Sequence, residues 1–261
     1  MTTTLVRRAG ALALIAATTA GLTGCAGVVG ARMTYNDTEK AKITEIVLSG
    51  GSGDVVITAS PGVTETTVKR VIRRSDNPGE SYRLDGTKLV LDTDCGPRCS
   101  ASYEIKTPTS VLISGKMQSG DVKLDGIGGV EFELTSGDVV IAGPTGPVEL
   151  RGTSGDLEIL NAKAAVDVQA TSGDLKVLNA AGPVKAQVTS GDVSVQLTKP
   201  GSVTAHATSG DLNVILPTGE YKVVSNVGSG DLNVNGLTSD SSSKNVIDVQ
   251  VKSGDANVTA G

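Results

Sequence analysis

The sequence predicts an all-β protein whose main body is a parallel β-solenoid (β-helix) built from coils of about 18 residues. Ser-Gly-Asp recurs nine times, and from Gly120 onward the steps between its glycines are 17 to 24 residues long. Self-similarity at a nearly fixed period is the signature of repeat architectures. Aromatic residues are scarce, with one Phe, four Tyr and no Trp, so a core must consist of Val, Ile, Leu and Ala. That composition suits regular β-structure.

Each repeated unit reads as a strand, a Ser-Gly-Asp corner and a second strand, both strands alternating with period two. A β-branched residue stands seven positions before the glycine in all nine units: Ile46, Ile113, Val130, Val148, Val166, Val184, Val203, Val223 and Ile247. An aliphatic residue stands four positions after it: Ile57, Leu124, Ile141, Ile159, Val177, Val195, Val214, Val234 and Val258. These two columns are predicted to face inward.

A column of polar residues is predicted to face outward, four positions before the glycine. Its members are Lys116, Glu133, Arg151, Gln169, Gln187, His206, Asn226 and Gln250. The first three would alternate in charge if successive units stack. Apolar columns beside polar columns are what stacked coils require, because each repeat covers the inward face of its neighbour.

The same pattern also permits an antiparallel β-meander or sandwich, in which Ser-Gly would be a two-residue hairpin turn. A long meander leaves one apolar face uncovered unless it closes or pairs with another sheet, whereas a solenoid encloses its own inward residues. We therefore predict the solenoid, with a rise of about 4.8 Å per coil.

Residues 1–24 have the pattern of an export signal. Arg7 and Arg8 precede an apolar stretch from Ala9 to Ala20 that is too short to span a bilayer comfortably. The stretch ends in "LTGC", which resembles the bacterial lipobox. That resemblance implies that Cys25 is acylated and becomes the first residue of an exported protein anchored in the membrane. The alternative is an ordinary secretory signal with an incidental cysteine.

The mature chain is predicted to have two parts. Residues 25–42 are polar and read as a tether, and residues 43–261 form the solenoid domain. Residues 58–112 interrupt the repeat, as an irregular insertion, as degenerate coils or as a capping element, since solenoids need atypical ends. The polar loop "NGLTSDSSSKN" and the shortened last unit are candidates for the opposite cap.

Cys95 and Cys99 form an even pair in "DCGPRC", with a Gly-Pro turn between them. In an oxidising compartment, such a pair predicts a local disulfide. A metal site or a redox dithiol is the alternative, but no His lies nearby and the spacing is not Cys-x-x-Cys.

The repeat over about residues 43–261, beginning with "ITEIVLSGGSGDVVIT", resembles the bacterial putative-adhesin domain family of unknown function. That family is related to head domains named for a Gly-Ile-Asn signature. The resemblance implies a right-handed parallel β-helix or a similar solenoid on an exported or membrane-associated protein. It implies no catalytic residue. The long interruption and the cysteine pair depart from the family pattern.

The residues themselves offer little for catalysis. A hydrolytic triad needs a general base, and the only histidine, His206, alternates with inward residues and so points outward in the polar column. A carbohydrate-active enzyme on a β-helix is the enzymatic alternative, because paired carboxylates abound. Sugar sites also need aromatic platforms, and the aromatic residues are scattered along the chain: Tyr35, Tyr82, Tyr103, Phe132 and Tyr221. We expect no catalytic, cofactor-binding or metal-binding residue.

The repeated aspartates would stack into a row of like charges: Asp121, Asp138, Asp156, Asp174, Asp192, Asp211, Asp231 and Asp255. Neighbouring carboxylates at the coil spacing repel by about 1 kcal/mol in water. We expect each Asp to accept backbone N–H groups at its own corner, with Gly adopting the φ values that the turn requires. A row of Ca²⁺ ions is the alternative.

These patterns predict a lipid-anchored cell-envelope protein that presents a non-catalytic β-solenoid for binding, adhesion or scaffolding. A structural or stress-related envelope component without a dedicated ligand is the alternative. A net charge of −5 gives no footprint for nucleic acid. The basic stretch from Lys69 to Arg74 is predicted to be a solvated strand face.

Overall fold

The computed structural model describes residues 31–74 and 81–261, and its regular elements are 24 β-strands. The strands before the continuous repeat are β1 (Ala31–Glu39), β2 (Glu45–Ser52), β3 (Val55–Ala59), β4 (Thr66–Arg74), β5 (Tyr82–Asp85), β6 (Lys88–Asp92) and β7 (Ser100–Thr107). The next strands are β8 (Leu112–Ser119), β9 (Val122–Asp125), β10 (Gly129–Ser136), β11 (Val139–Ala142), β12 (Val148–Ser154), β13 (Leu157–Leu160), β14 (Val166–Ser172), β15 (Leu175–Ala180), β16 (Val184–Ser190), β17 (Val193–Leu197), β18 (Val203–Ser209) and β19 (Leu212–Leu216). The last are β20 (Glu220–Ser229), β21 (Leu232–Asn235), β22 (Thr238–Ser239), β23 (Val246–Ser253) and β24 (Ala256–Ala260).

The strands form two sheets of twelve. Sheet 1 has the order β1-β4-β7-β3-β9-β11-β13-β15-β17-β19-β24-β21, and sheet 2 has the order β22-β20-β23-β18-β16-β14-β12-β10-β8-β2-β6-β5. Each repeated unit gives its first strand to sheet 2 and its second strand to sheet 1, and neighbouring units pair in parallel. The predicted all-β parallel solenoid is therefore confirmed, and parallel pairing rules out the antiparallel meander for the repeats.

The core lies between the two sheets and consists of the predicted inward columns. Ile46, Val166 and Ile159 are almost fully buried, as are their equivalents in most units. The unit at one end is the exception, since Val234 is 42% exposed. An inward side chain is fully buried only where neighbouring coils cover it on both sides. The terminal coil has a neighbour on one side, so its inward side chains stay partly exposed.

The interruption between the first two Ser-Gly-Asp units builds one end of the solenoid. Strands β6 and β7 pair in parallel with β2 and β3, so together they form one more coil without the Ser-Gly-Asp corner. Strands β4 and β1 then add to sheet 1 and β5 adds to sheet 2, all antiparallel. We call these three antiparallel strands the cap. Ten coils at about 4.8 Å each give a stack of roughly 45–50 Å.

The expectation that residues 25–42 form a tether is wrong for residues 31–39. They form β1, which pairs along its whole length with β4. Alternation of Met33, Tyr35 and Asp37 with more exposed residues supplies the inward face of this strand. The segment is polar enough to read as a linker, but it is an edge strand whose period-two pattern is weak.

Three tyrosines that are far apart in the chain lie close together at the capped end. The guanidinium of Arg70 lies 4.9 Å from the Tyr35 ring centroid and 4.7 Å from that of Tyr82. Tyr82 donates a hydrogen bond to Glu39 at 2.9 Å, and the Tyr103 hydroxyl donates to the carbonyl of Asp92 at 2.8 Å. These contacts join β1 and β4 of sheet 1 to β5 of sheet 2, and β7 of sheet 1 to β6 of sheet 2, and they close this end of the core.

The expectation that the stretch from Lys69 to Arg74 is a solvated face therefore holds for one side of β4 alone. Lys69 lies outside, where its ammonium forms an ion pair with Glu104 at 2.7 Å. Arg70 points between the sheets, with 15% of its side chain exposed, and pairs with Asp37 at 3.2 Å. Successive residues of a strand point to opposite faces, so adjacent basic residues cannot share one surface.

The coils do not stack in chain order at the other end. The last unit, β23 and β24, lies between the unit of β18 and β19 and the unit of β20 and β21. The prediction that the shortened last unit is a cap is therefore wrong. This unit is an internal coil. Residues 220–235 form the terminal coil, and β22, in the predicted polar loop, pairs with the start of β20.

The predicted export signal and Cys25 lie outside the described residues. In the part of the chain that the structure describes, no helix is long and apolar enough to cross a membrane.

Candidate binding surface

The Ser-Gly-Asp corners stack into the predicted row. Eight of the nine corner Asp carboxylates accept the backbone N–H of the Asp in the adjacent coil, at 2.8 to 3.2 Å, and Asp231 of the terminal coil only donates. At the capped end, Ser102 Oγ accepts the N–H of Asp54 at 3.2 Å. The expectation that each Asp is satisfied at its own corner is wrong, because the donor belongs to the neighbouring coil. The row is therefore a hydrogen-bonded ladder that offsets the repulsion between carboxylates.

The corner glycines are required by both conformation and space. Gly173 and Gly191 have φ values of 111° and 137°, which residues with a side chain rarely adopt. A Cβ on either would overlap the carbonyl of the corner glycine in the adjacent coil. The triplet is thus a structural corner.

No group of three or more His, Cys, Asp or Glu side chains is placed to hold a metal ion in residues 31–74 and 81–261. Each ladder carboxylate also uses one oxygen for a backbone N–H. The alternative of a calcium row is tested by calorimetry of the chelator-treated protein, in which we expect no heat of Ca²⁺ binding.

A shallow groove of about 620 Å³ runs along the outer face of sheet 2. The predicted polar column forms its floor, together with threonines that stand two positions before three of the corner glycines. The side chains that point outward into it are Arg151, Gln169, Thr171, Gln187, Thr189, His206, Thr208, Asn226, Gln250 and Lys252. The pairing places Gln169 beside Gln187 and His206 beside both Gln187 and Gln250. We call this surface the polar groove.

Two aspartates orient the amides of the polar groove. Gln169 donates from Nε2 to Asp167 at 3.2 Å, and Gln250 donates from Nε2 to Asp248 at 3.0 Å. Lys185 pairs with the other oxygen of Asp167 at 3.0 Å. Each amide nitrogen is thereby directed toward a fixed acceptor, which leaves the amide oxygens available as acceptors for a ligand.

His206 lies in the middle of the polar groove and points outward, as predicted. Its Nδ1 lies 3.2 Å from Nε2 of Gln187, and its Nε2 lies 3.4 Å from Oδ2 of Asp248. Because the amide nitrogen can only donate, it assigns the proton of a neutral ring to Nε2, facing the carboxylate. The imidazole is held between the strands that carry Gln187 and Asp248, and its Nε2 is buried.

The groove becomes charged toward the capped end. Lys116, Glu133 and Arg151 are in register on adjacent strands, so the predicted alternation of charge is confirmed. Lys116 pairs with Glu133 at 2.8 Å, whereas Arg151 turns to Glu149 on its own strand at 2.6 Å. These exposed pairs contribute little stability. They separate the neutral part of the groove from the cap.

Cys95 and Cys99 lie in the corner between β6 and β7, the one coil that lacks Ser-Gly-Asp. Their sulfur atoms are placed as a disulfide, with the Cα atoms 5.3 Å apart, within the usual range for a disulfide. A cross-link would hold the corner where the aspartate ladder is absent. Mass spectrometry of the mature protein that finds two free thiols would contradict it.

The fold and the groove define a class of protein: a capped, mostly parallel β-solenoid with a polar outer surface. The chain belongs to the Toastrack DUF4097 family, whose model matches residues 98–259. No protein of curated function matches the chain.

Solved structures share the fold. One is called a putative adhesin from Bacteroides fragilis, with 14% identity and a TM-score of 0.53, and the match covers 90% of this chain and 100% of that one. Another is called a putative adhesin from Parabacteroides distasonis, with 14% identity and a TM-score of 0.55, covering 88% of this chain and 98% of that one. At this identity, the comparisons establish the architecture alone.

Proposed function

We propose that the protein is an exported, lipid-anchored and non-catalytic surface module that binds a neutral polar polymer, of the class of envelope glycans, along the polar groove. The observation that carries this proposal is the neutral part of the groove, where amides, hydroxyls and one imidazole repeat on adjacent strands. The names of the structural relatives support an adhesive role.

The chemistry of the groove favours hydroxyl groups over charged groups. Gln, Thr and Asn offer both donors and acceptors, as a polyhydroxyl ligand does. The aspartates beside the groove are engaged by amides or by Lys185. An anionic ligand would meet opposite charge only at Arg151 and Lys252, toward the two ends of the groove, and would lose water without a charged partner along the Gln, Thr and His residues between them.

The repeated form of the groove favours a polymer over a single sugar. None of the residues that line it is Phe, Tyr or Trp, so it offers no large aromatic ring to stack on a sugar face. Each site is therefore weak, and useful affinity has to come from several repeats binding one chain. We expect binding to increase steeply with the length of the ligand.

The test is a glycan array with neutral and charged envelope polysaccharides of graded length, followed by calorimetry on any glycan that binds. The variant Gln169→Ala/Gln187→Ala/Thr189→Ala should lose binding by tenfold or more, since roughly 1 kcal/mol is lost per hydrogen bond. The matched control Ser194→Ala/Gln196→Ala/Asn213→Ala changes the outer face of sheet 1 and should bind normally. Binding that survives in the groove variant, or that ignores ligand length, would contradict the proposal.

Anchoring depends on Cys25. Substitution Cys25→Ser should release the protein from membranes into the soluble exported fraction, because stable attachment needs acyl chains. Mass spectrometry of the wild-type protein should find the N-terminal cysteine acylated. An unmodified Cys25, or membrane retention of the variant equal to that of the wild type, would remove the lipid anchor from the proposal.

A further inference from the structure

The chain enters the solenoid at the cap. Five residues separate Cys25 from the first residue of β1, and β1 is the outermost strand of sheet 1 at the capped end. An extended chain spans at most 3.3–3.6 Å per residue, so this connection reaches roughly 20 Å. If Cys25 is acylated, as the proposed function holds, the cap lies next to the membrane and the terminal coil of residues 220–235 lies farthest from it.

The charge of the molecule is divided along the same axis. The three cap strands carry six Lys and Arg residues against three Asp and Glu. Residues 108–261 carry ten Lys and Arg against seventeen Asp and Glu. The cap strands are therefore basic, and the repeats are acidic.

Basic side chains at the cap are placed without acidic partners. Arg32 of β1 lies directly opposite Arg73 of β4, and both are exposed. Like charges directly opposite each other on paired strands are destabilising. Among the ion pairs of the described residues, none includes Arg32, Arg73 or Arg83, the exposed arginine on edge strand β5.

We propose that the cap is a membrane-docking surface whose partner is the layer of anionic phospholipid headgroups around the lipid anchor. Arg32 and Arg73 of sheet 1 and Arg83 of sheet 2 bind the headgroup phosphates at this end of the stack. An anionic surface removes the cost of the facing arginines, while it repels the acidic repeats. Docking therefore holds the cap at the membrane surface and points the long axis of the solenoid away from it, so that the polar groove is accessible along its length.

The test uses the mature chain from residue 25 with Cys25→Ser, so that docking is measured without acyl chains. Cosedimentation compares phosphatidylcholine vesicles with vesicles that contain about one third phosphatidylglycerol. We expect binding to the anionic vesicles alone, with loss at high salt because exposed charges are screened. Arg32→Gln/Arg73→Gln/Arg83→Gln should lower the partition coefficient by roughly 100-fold, from the usual contribution of one basic residue near an anionic surface.

The matched control is Lys123→Gln/Lys163→Gln/Lys176→Gln, which removes the same net charge from exposed sites on the repeats. It should bind anionic vesicles as the parent does. Equal losses in the two triple variants would show nonspecific attraction and overturn the docking surface, as would equal binding of the parent to both vesicles. Thermal unfolding confirms that each variant is folded.

Orientation provides an independent measurement that needs no arginine substitution. A dye on Asn36→Cys, in the cap, should transfer energy efficiently to an acceptor in anionic vesicles, whereas a dye on Asn233→Cys, in the terminal coil, should not. Equal transfer from the two sites would overturn the proposal. These outcomes are separate from lipid anchoring, because an unmodified wild-type Cys25 would disprove the anchor without changing vesicle binding by the cap.

Discussion

Each corner glycine packs against the corner glycines of the adjacent coils. The effect of replacing it on stability therefore depends on what the new side chain would contact there. At Gly173, a Cβ would overlap the carbonyl of Gly155 and approach the carboxylate of Asp156. Gly143 also has a positive φ, of 59°, but open space surrounds the position of its Cβ. The two glycines therefore separate the effect of conformation from the effect of crowding.

We predict that Gly173→Ala lowers the free energy of unfolding by about 3 kcal/mol or more, since strain and overpacking add. Gly143→Ala should cost about 1 kcal/mol, for conformation alone. Denaturant unfolding of both variants measures the difference. Similar losses would mean that the coils can separate at the corner, and that the ladder is less rigid than the structure indicates.

Tyr103 provides a prediction about pH. Burial raises its pKa to about 12, above the value near 10 of an unfolded tyrosine. The folded protein therefore holds this proton more tightly. The resulting stability is fully present below about pH 10 and is lost as the pH rises toward 12. Over this range we expect the wild type to lose about 2–3 kcal/mol more than Tyr103→Phe, which keeps the raised pKa values of Tyr82 and Tyr221. Urea unfolding at pH 9 and at pH 11.5 checks this, and equal losses in the two proteins would contradict it.

At the scale of elements, the stacking order of the C-terminal coils is the least expected feature. Ser209 of β18 pairs with Ser253 of β23, and Ser253 in turn pairs with Ser229 of β20. Stacking in chain order would instead place Ser209 beside Ser229. The three serines occupy the same corner position, so cysteines introduced there report which coils are neighbours.

We predict that Ser209→Cys/Ser253→Cys cross-links under mild oxidation, because strands one coil apart lie within disulfide range. Ser209→Cys/Ser229→Cys, two coils apart, should not cross-link. Peptide mapping by mass spectrometry identifies the bond in each case. A cross-link in the second variant and none in the first would show that the units stack in chain order.

At the scale of the whole molecule, the two ends of the core are closed differently. The cap covers one end with Arg70 and its tyrosines, whereas Leu232 of the terminal coil is 40% exposed. Leu212 occupies the same position of its unit, two residues after the corner glycine, and is fully buried. In a stacked protein, each repeat depends on the neighbours that cover it.

We predict that Leu212→Ala lowers the free energy of unfolding by about 2–5 kcal/mol, as expected for a core leucine. Leu232→Ala should cost less than about 1 kcal/mol, because less apolar area leaves water at the open end. Chemical denaturation of both variants measures this contrast. A large loss for Leu232→Ala would indicate that the terminal coil is covered in solution, by a second copy or by another segment.

The sequence by itself determined the coil. Its period, inward columns, polar column and corner glycines could be predicted because each coil contacts near-copies of itself, so a local requirement recurs at a regular spacing. The same reasoning placed His206 outward and brought Lys116, Glu133 and Arg151 into register. It could not identify the donor to each Asp, because a bond within one corner and a bond between corners require the same residues.

The tertiary structure alone decided what does not repeat. The insertion of the last coil, the cap around Arg70 and the change of residues 31–39 from an expected tether to a strand all depend on contacts between segments far apart in the chain. Each of these contacts occurs once, so no repeated sequence pattern predicts it. They arise because the ends of the stack must cover apolar residues and strand edges that no further coil covers.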